Sequence, residues 1–293
     1  MRVLHLDSGR EMRGGQWQVL RLLEGLAAEG VESTLLARAG SPLFRAARER
    51  GLRTEPLGWM RGAAEGRRHD VVHAHDARSH TMAAIMGGAP LVVSRRVAFP
   101  IRSRWKYERA ERYIAVSEHV KGILIEGGTE AAKIEVIPDG VPLLPVSTGT
   151  RAIAPDDGGD PMKGARLAVE AAERAGVSLE VSRHLEEDLR KAGVLVYLTR
   201  SEGLGSGVLL AMSAGVAVVA SNVGGLREII RDGENGVLVE NDVAAVSEAI
   251  RRLATDSAAA RRLGEAGRRT VMERFTIDRM VRQTIDVYRQ VAR

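Results

Sequence analysis

Two carboxylates, each set in a glycine-rich turn between a strand-like run and a helix-like run, are the residues of this 293-residue chain best placed to do chemistry. Glu202 opens the turn Glu202-Gly203-Leu204-Gly205-Ser206, which follows an apolar run ending near Leu198 and leads into an apolar helix. Glu228 stands just after a second turn, Gly224-Gly225, one strand later. In parallel sheets, ligands collect at the carboxyl ends of strands, where helix N-termini offer unpaired N–H groups and positive dipole. Two consecutive turns of this kind suit a sugar joined to a diphosphate. The N–H groups and dipole take the phosphates, and the carboxylates accept hydrogen bonds from sugar hydroxyls. For Glu228 taken alone, simple complementing of a helix dipole is an equal account.

Other candidates are weaker. Gly14 and Gly15 open the first helix and let backbone approach a ligand closely, although a plain tight turn explains them as well. They do not form the dinucleotide fingerprint, so hydride transfer loses support. In DVVHAHDARSH, His73 and His75 are two apart on a strand and point to one face. With Asp76 they offer metal ligands, but no third histidine stands at a familiar spacing, and His80 does not supply it, so no metal site is expected. His75 then reads as a strand-mouth residue facing a substrate, with a core histidine as the alternative. A glycoside hydrolase built on Glu202 and Glu228 is disfavoured, because both carboxylates lie in phosphate-type turns.

These residues need a scaffold, and the pattern predicts one. Strand-like runs at 3–7, 33–37, 71–75, 90–94, 113–116 and 134–137 alternate with helical stretches at 16–29, 42–50, 79–86, 105–112 and 118–126. Residues 138–160 are rich in Pro, Gly, Asp, Ser and Thr and read as linker plus loop. The alternation resumes with strands at 178–181, 194–198, 216–220 and 236–239 and helices at 164–175, 206–214 and 226–231. Three helices, 242–254, 257–274 and 277–291, finish the chain. Such alternation predicts an α/β fold of parallel sheets covered by helices.

The segment EGLGSGVLLAMSAGVAVVASNVGGLREIIRDGENGVLV resembles the donor-site block of the family 4 (group 1) glycosyltransferases. GGQ after the first strand, DVVHAH, YIAVSEHV and VIPDGV resemble the matching segments elsewhere, so the similarity runs in order along nearly the whole chain. It implies the GT-B fold: two facing Rossmann-like domains, 1–145 on the acceptor side and 146–276 binding nucleotide-sugar, with 277–293 crossing back onto the first. It implies transfer of a sugar, with retention, from a UDP-, GDP- or ADP-sugar to a glycan or lipid-linked acceptor. The nucleotide-sugar is a substrate and no cofactor or metal is expected. Carried over by residue, Glu202, the backbone of Gly203, Leu204, Gly205 and Ser206, and Gly224, Gly225 and Glu228 face the donor. Lys163, in MKG, matches the diphosphate lysine, and His75 the histidine near the reaction centre. Gly14, Gly15, Arg95 and Arg96 border the acceptor.

Three departures qualify this. The family's second acid, eight positions after Glu202, is Leu210 here, and a lost charge-assisted hydrogen bond is worth about 1.5–3 kcal/mol. The arginine expected shortly before Lys163 is missing from DDGGDPMKG. Finally, 140–202, 59–68 and 180–192 are short. DDGGD meets PMKG without an apolar strand, and LGWMRGAAEGRRHD leaves little room for the helix that a parallel crossover needs. Both shortages predict that residues of the encoded protein are omitted here. A non-catalytic relative serving as a partner subunit is the rival reading.

Composition narrows the rest. Without cysteine there are no disulfides or thiolate metal sites. No apolar run reaches the ~18 residues of a spanning helix, and the N-terminus reads as a strand rather than a signal peptide, so a cytoplasmic location is expected. The +5 net charge and many arginines fit a solvated surface or attraction to anions. Nucleic acid is not an expected partner, since aromatic residues make up only 3% and stacking platforms are scarce. Arg102, Arg104, Lys106 and Arg109 around Ile101 and Trp105 suggest peripheral contact with the inner membrane face.

Overall fold

The structure, a computed structural model, describes residues 1–101 and 104–292. The elements run β1 (Arg2–Asp7), α1 (Gly14–Ala28), β2 (Glu32–Ala37), α2 (Pro42–Glu49), β3 (Thr54–Pro56), α3 (Trp59–Gly66), β4 (Val71–Ala74), α4 (Ala77–Met86), β5 (Leu91–Arg95), β6 (Arg112–Ala115), α5 (Glu118–Glu126) and β7 (Ile134–Val136). They continue with β8 (Arg151–Pro155), α6 (Ala165–Ala175), β9 (Leu179–Ser182), α7 (Leu185–Asp188), β10 (Ala192–Tyr197), α8 (Ser206–Ser213), β11 (Ala217–Ser221), α9 (Leu226–Ile229), β12 (Val237–Val239), α10 (Val243–Thr255), α11 (Ser257–Arg274) and α12 (Ile277–Val291). The chain divides into two compact units, 1–140 with 277–293, and 141–276.

In the first unit seven strands form one sheet in the order β3-β2-β1-β4-β5-β6-β7. Every pairing is parallel. The strands are nearly continuous apolar runs because helices cover both faces. Helix α1 turns Val19, Leu22, Leu23 and Leu26 inward at helical spacing. Helix α12 buries Met280, Val281, Ile285 and Tyr288 in the same cluster as Leu22, Leu26, Val3 and Val71. A Cβ on Gly25 would lie 2.4 Å from Val281 Cγ2, so this α1 position must be glycine for α12 to seat. Side-chain caps fix the helix starts: Ser41 accepts from Phe44 N ahead of α2, and Asp76 accepts from Arg78 N and Ser79 N ahead of α4.

The second unit holds a five-stranded parallel sheet in the order β12-β11-β10-β8-β9. Its core packs Val194, Val196, Ala217 and Val219 against Ala168 and Ala172 of α6, Val246 and Ile250 of α10, and Leu263 of α11. The strand order reverses between β8 and β10 here, and between β1 and β4 in the first unit. At such a reversal the crossovers leave toward opposite faces and open a crevice at the strands' carboxyl ends.

Several elements differ from the sequence reading. Residues 138–160 are not all linker: Arg151–Pro155 is β8, whose Ala152, Ile153 and Ala154 are buried. Polar neighbours on either side hid that short run. The helix predicted at 105–112 is a single 3-10 turn, Tyr107–Arg109. Thr54–Pro56 is a strand and Trp59–Gly66 the covering helix for which room looked insufficient. Helix α3 packs tightly because Gly62 lies against Met86 and Gly66 against the Gly87 carbonyl. The short segment 180–192 likewise carries α7. The covering helix found wanting in 59–68 is therefore α3, while the strand next to DDGGD is β8, which precedes it.

Candidate functional site

The loop after β8 and the loop after β10 meet at the reversal of the second sheet. Gly164 N donates to the Leu198 carbonyl at 2.9 Å and Arg200 N to the Met162 carbonyl at 2.8 Å, and Lys163 bridges Thr199 in antiparallel fashion. A Cβ on Gly164 would stand 2.7 Å from Leu198 Cβ, so the approach needs glycine. Buried polar groups hold this exit firmly. Thr199 N donates to Ser221 Oγ at 2.9 Å, Ser221 Oγ to Asn241 Oδ1 at 2.6 Å, and Asn241 Nδ2 to the Thr199 carbonyl at 2.9 Å. The ends of β10, β11 and β12 are thereby tied together.

On this frame Lys163 and Glu202, separated by 39 positions, form an ion pair, Nζ to Oε2 at 2.7 Å. Tyr197, the last residue of β10, joins both. Its hydroxyl donates to Glu202 Oε2 at 2.7 Å and accepts from Lys163 Nζ at 3.1 Å. Burial and the neighbouring Glu202 carboxylate push the Tyr197 phenol well above its ordinary pKa, so it stays a donor.

Gly205 precedes α8 with φ 106°, a left-handed conformation that glycine adopts without strain. Val208 N and Leu209 N donate to its carbonyl at 3.0 and 3.1 Å. Among the described residues, the N–H groups of Ser206 and Gly207 find no backbone acceptor, which leaves the start of α8 able to receive an anion. Leu204 is in the core at 3% exposure and offers only its backbone.

The second glycine turn behaves differently from the sequence expectation. Four N–H groups here are spent within the protein: Gly225 donates to the Glu202 carbonyl at 3.1 Å, Leu226 to Val223, Arg227 to Gly224 and Glu228 to Gly225. Its role is to dock beside the first turn. A Cβ on Gly225 would lie 2.0 Å from the Gly203 carbonyl oxygen, and Gly224 takes φ 50°. Glu228 is half-buried on α9, a four-residue helix. Leu210, expected within an apolar buried helix, is the partly exposed residue among the buried Val208, Leu209, Ala211 and Met212.

In the first unit the reversal lies between β1 and β4, and their exits are joined by Asp76, which accepts from Ser8 N at 2.6 Å and Ser8 Oγ at 2.7 Å. Asp7, at the end of β1, accepts from Gly9 N at 2.8 Å and from Gln16 Nε2 at 3.2 Å. Burial first, then the Asp76 charge, pushes its carboxyl above the usual range. Gly14 and Gly15 begin α1, where Gln16 Oε1 accepts from Arg13 N at 3.4 Å. A Cβ on Gly15 would lie 3.9 Å from Arg96 Cδ. Arg96 in turn pairs with Asp139, Nε to Oδ1 at 3.1 Å, with side chains only 12% and 9% exposed.

Two candidates on this side are turned inward. Arg95 is buried, bonding Tyr107 OH at 2.9 Å and the Phe99 carbonyl, so it braces its own loop instead of bordering an acceptor. His75 is likewise buried: its Nε2 lies 3.0 Å from His5 Nδ1, and its Nδ1 is enclosed without a partner. His80 bonds the Lys106 carbonyl at 3.0 Å and is a core residue. Burial lowers the pKa of both histidines; His80 falls to about 4.

The third histidine that spacing failed to supply is His5. Register pairs β1 with β4 so that His5 sits beside His73, and ring nitrogens of His5, His73 and His75 lie within 4.8 Å of one another. His73 spends both nitrogens within the core, on Tyr288 OH at 2.6 Å and Ser94 Oγ at 2.8 Å. Burial first, then the neighbouring histidines and the Arg96 cation, lowers the proton affinity of His73 and His75, and the Arg96 charge also opposes a bound cation. The cluster is a hydrogen-bonded core feature that anchors α12 through Tyr288. Of the basic patch, Arg102 lies outside the described residues. Lys106 bonds the Ala77 carbonyl at 3.0 Å and Arg109 the Ala84 carbonyl at 2.9 Å, while Trp105 is 41% exposed.

Comparison with known proteins agrees with this architecture. Residues 158–270 match the family model of glycosyl transferases group 1, and residues 12–143 that of Glycosyltransferase Family 4. The chain is 40% identical over 114 residues to alpha-maltose-1-phosphate synthase of Mycobacterium tuberculosis, covering 36% of this chain and 30% of that protein. It is 38% identical over 123 residues to the putative glycosyltransferase EpsD of Bacillus subtilis, covering 40% and 32%. The chain thus spans about a third of the length of the curated relatives it matches. Anabaena HepE, solved in complex with UDP and glucose, superposes with a TM-score of 0.86 at 15% identity, covering 99% of this chain and 100% of that one. Sucrose-phosphate synthase from Thermosynechococcus elongatus gives 0.81 at 20% identity, covering 99% and 98%. The chain belongs to the group 1, family 4 glycosyltransferases, and its fold is GT-B.

Proposed function

We propose that this chain is a retaining glycosyltransferase that moves a sugar from a nucleotide diphosphate donor to an acceptor hydroxyl, in the synthesis of a cell-surface glycan or glycolipid. The observation that carries the reading is the meeting of Lys163, Glu202 and the open start of α8 at the reversal of the second sheet. Lys163 has three N–H donors and spends two within the protein, so one is left for a phosphate oxygen. The Ser206 and Gly207 N–H groups add fixed partial charge. Both stabilise the nucleoside diphosphate as the anomeric carbon–oxygen bond breaks and the acceptor oxygen bonds that carbon. The leaving phosphate keeps the bonding electron pair and receives the acceptor's proton. Glu202 holds the sugar through its hydroxyls, and Glu228 adds a second carboxylate. Gly14, Gly15 and Arg96 of the first unit serve the acceptor.

HepE was crystallised with UDP and UDP-glucose, which makes UDP-sugars the first donors to try. A thermal-shift screen of UDP-, GDP- and ADP-sugars tests the proposal, because stabilisation rises with ligand concentration over Kd. A shift confined to one nucleotide series is expected; no shift with any of them overturns the reading. Among the described residues no helix is long and apolar enough to cross a membrane. We place the protein in the cytoplasm, at the inner membrane face when its acceptor is lipid-linked. Vesicle co-sedimentation that ignores anionic lipid removes the membrane part.

Leu210 favours a second reading, a glycosyltransferase-like partner subunit that binds nucleotide without turnover. Its side chain cannot accept the hydrogen bond that a carboxylate at this position supplies. Nucleotide-sugar stabilisation with no sugar transfer or donor hydrolysis selects it.

A further inference from the structure

We infer that Tyr197 is a positioning residue for donor binding, setting the Glu202 carboxylate for the sugar. The inference rests on the donor-site reading above. Tyr197 ends β10, and its ring lies against α8, since a Cβ on Gly207 would meet Tyr197 Cε2 at 3.0 Å. From that fixed seat its hydroxyl serves two residues on different loops, donating to Glu202 at 2.7 Å and accepting from Lys163 at 3.1 Å. Lys163 Nζ also lies 5.1 Å from the Tyr197 ring centroid, within the range of a cation–π contact.

The division of labour follows from the atoms. Both protein donors converge on Glu202 Oε2. Among the described residues Glu202 Oε1 accepts no hydrogen bond, so that oxygen is the one available to a sugar hydroxyl. An arriving diphosphate competes with Glu202 for the Lys163 ammonium. Once Lys163 leans toward phosphate, the Tyr197 hydroxyl is the bond that still fixes the carboxylate. A side chain without that hydroxyl leaves Glu202 free to turn or to follow Lys163. The loss then falls on recognition of the sugar and spares the diphosphate.

The test is Tyr197→Phe in the full chain, which keeps the ring and removes only the oxygen. Calorimetry measures Kd for the nucleotide-sugar selected by the screen and for its free nucleoside diphosphate. The expected result is about tenfold weaker nucleotide-sugar binding, the worth of one charge-assisted hydrogen bond, with the free diphosphate changed less than about threefold. KM for the donor rises accordingly, and the melting temperature stays near that of the parent. Equal weakening of both ligands, or of neither, overturns the role of Tyr197 while leaving the donor site intact. Absence of any nucleotide binding by the parent chain overturns both readings at once and is distinguishable from either result.

Discussion

Lys163 Nζ and Glu202 Oε2 lie 2.7 Å apart, although the two residues follow different strands, β8 and β10. The pair is the chemical content of the sheet reversal: one loop delivers a cation, the other a carboxylate, and the crevice between β8 and β10 brings them within hydrogen-bond reach. Their side chains are 33% and 17% exposed, so the pair is open to a ligand. On the proposed donor-site reading, it presents two opposite charges in fixed positions, one for a phosphate and one for hydroxyls.

Replacing Lys163 with Ala should weaken nucleoside diphosphate binding about tenfold, the loss of one charge-assisted contact. Calorimetry with free nucleotide checks it. Unchanged affinity places Lys163 on an ordinary surface, paired with Glu202 for local order only.

Glu228→Ala should reduce kcat/KM for the nucleotide-sugar by about 10- to 100-fold, as expected for a lost hydrogen bond to a charged group, while the melting temperature holds. Steady-state kinetics beside a thermal melt separates the two quantities. Unaltered kinetics would remove Glu228 from the donor site and leave it as a helix-end charge.

Leu210→Glu restores a carboxylate eight positions after Glu202. Because Leu210 is only partly buried, the charge can reach solvent and stability should change little. Nucleotide-sugar affinity should rise about tenfold. An unchanged Kd shows that α8 does not present this position to the donor.

Acid should destabilise the first unit through its histidine cluster. His5, His73 and His75 are kept neutral in the fold mainly by burial, with the His5 pKa lowered from 6.5 to about 3. The unfolded chain binds protons on these rings below about pH 6.5 and the folded chain does not, so stability is full above that pH and falls as pH drops toward 3. The slope is about 1.4 kcal/mol per pH unit for each such group. Melting curves from pH 7 to 4 should show it, and His5→Gln should flatten it. A parent profile no steeper than the variant's contradicts the assignment.

The Arg96–Asp139 pair predicts a stability effect away from the donor site. Asp139→Ala strands a nearly buried guanidinium, and breaking such a pair typically costs about 3–5 kcal/mol. Chemical denaturation should show a lowered midpoint; a loss below about 1 kcal/mol means that the arginine relaxes to solvent.

The sequence by itself determined the alternation of strands and helices, since period-two and period-3.6 burial must be written locally for each element to have an inner face. It also determined the glycine turns around Glu202 and Gly224–Gly225, because backbone that must approach other backbone closely admits no Cβ. It missed β8 and α3, whose apolar stretches are too short to show a period among polar and glycine neighbours. Tertiary structure alone decided the rest. Parallel register put His5 beside His73 and turned a strand-mouth histidine pair into a core cluster. Chain folding spent the Gly225 N–H of the second glycine turn on the Glu202 carbonyl of the first. Strand order placed Lys163, Tyr197 and Glu202 on one another, and no local pattern records that meeting, because hydrogen bonds between distant loops depend on where the sheet brings their ends.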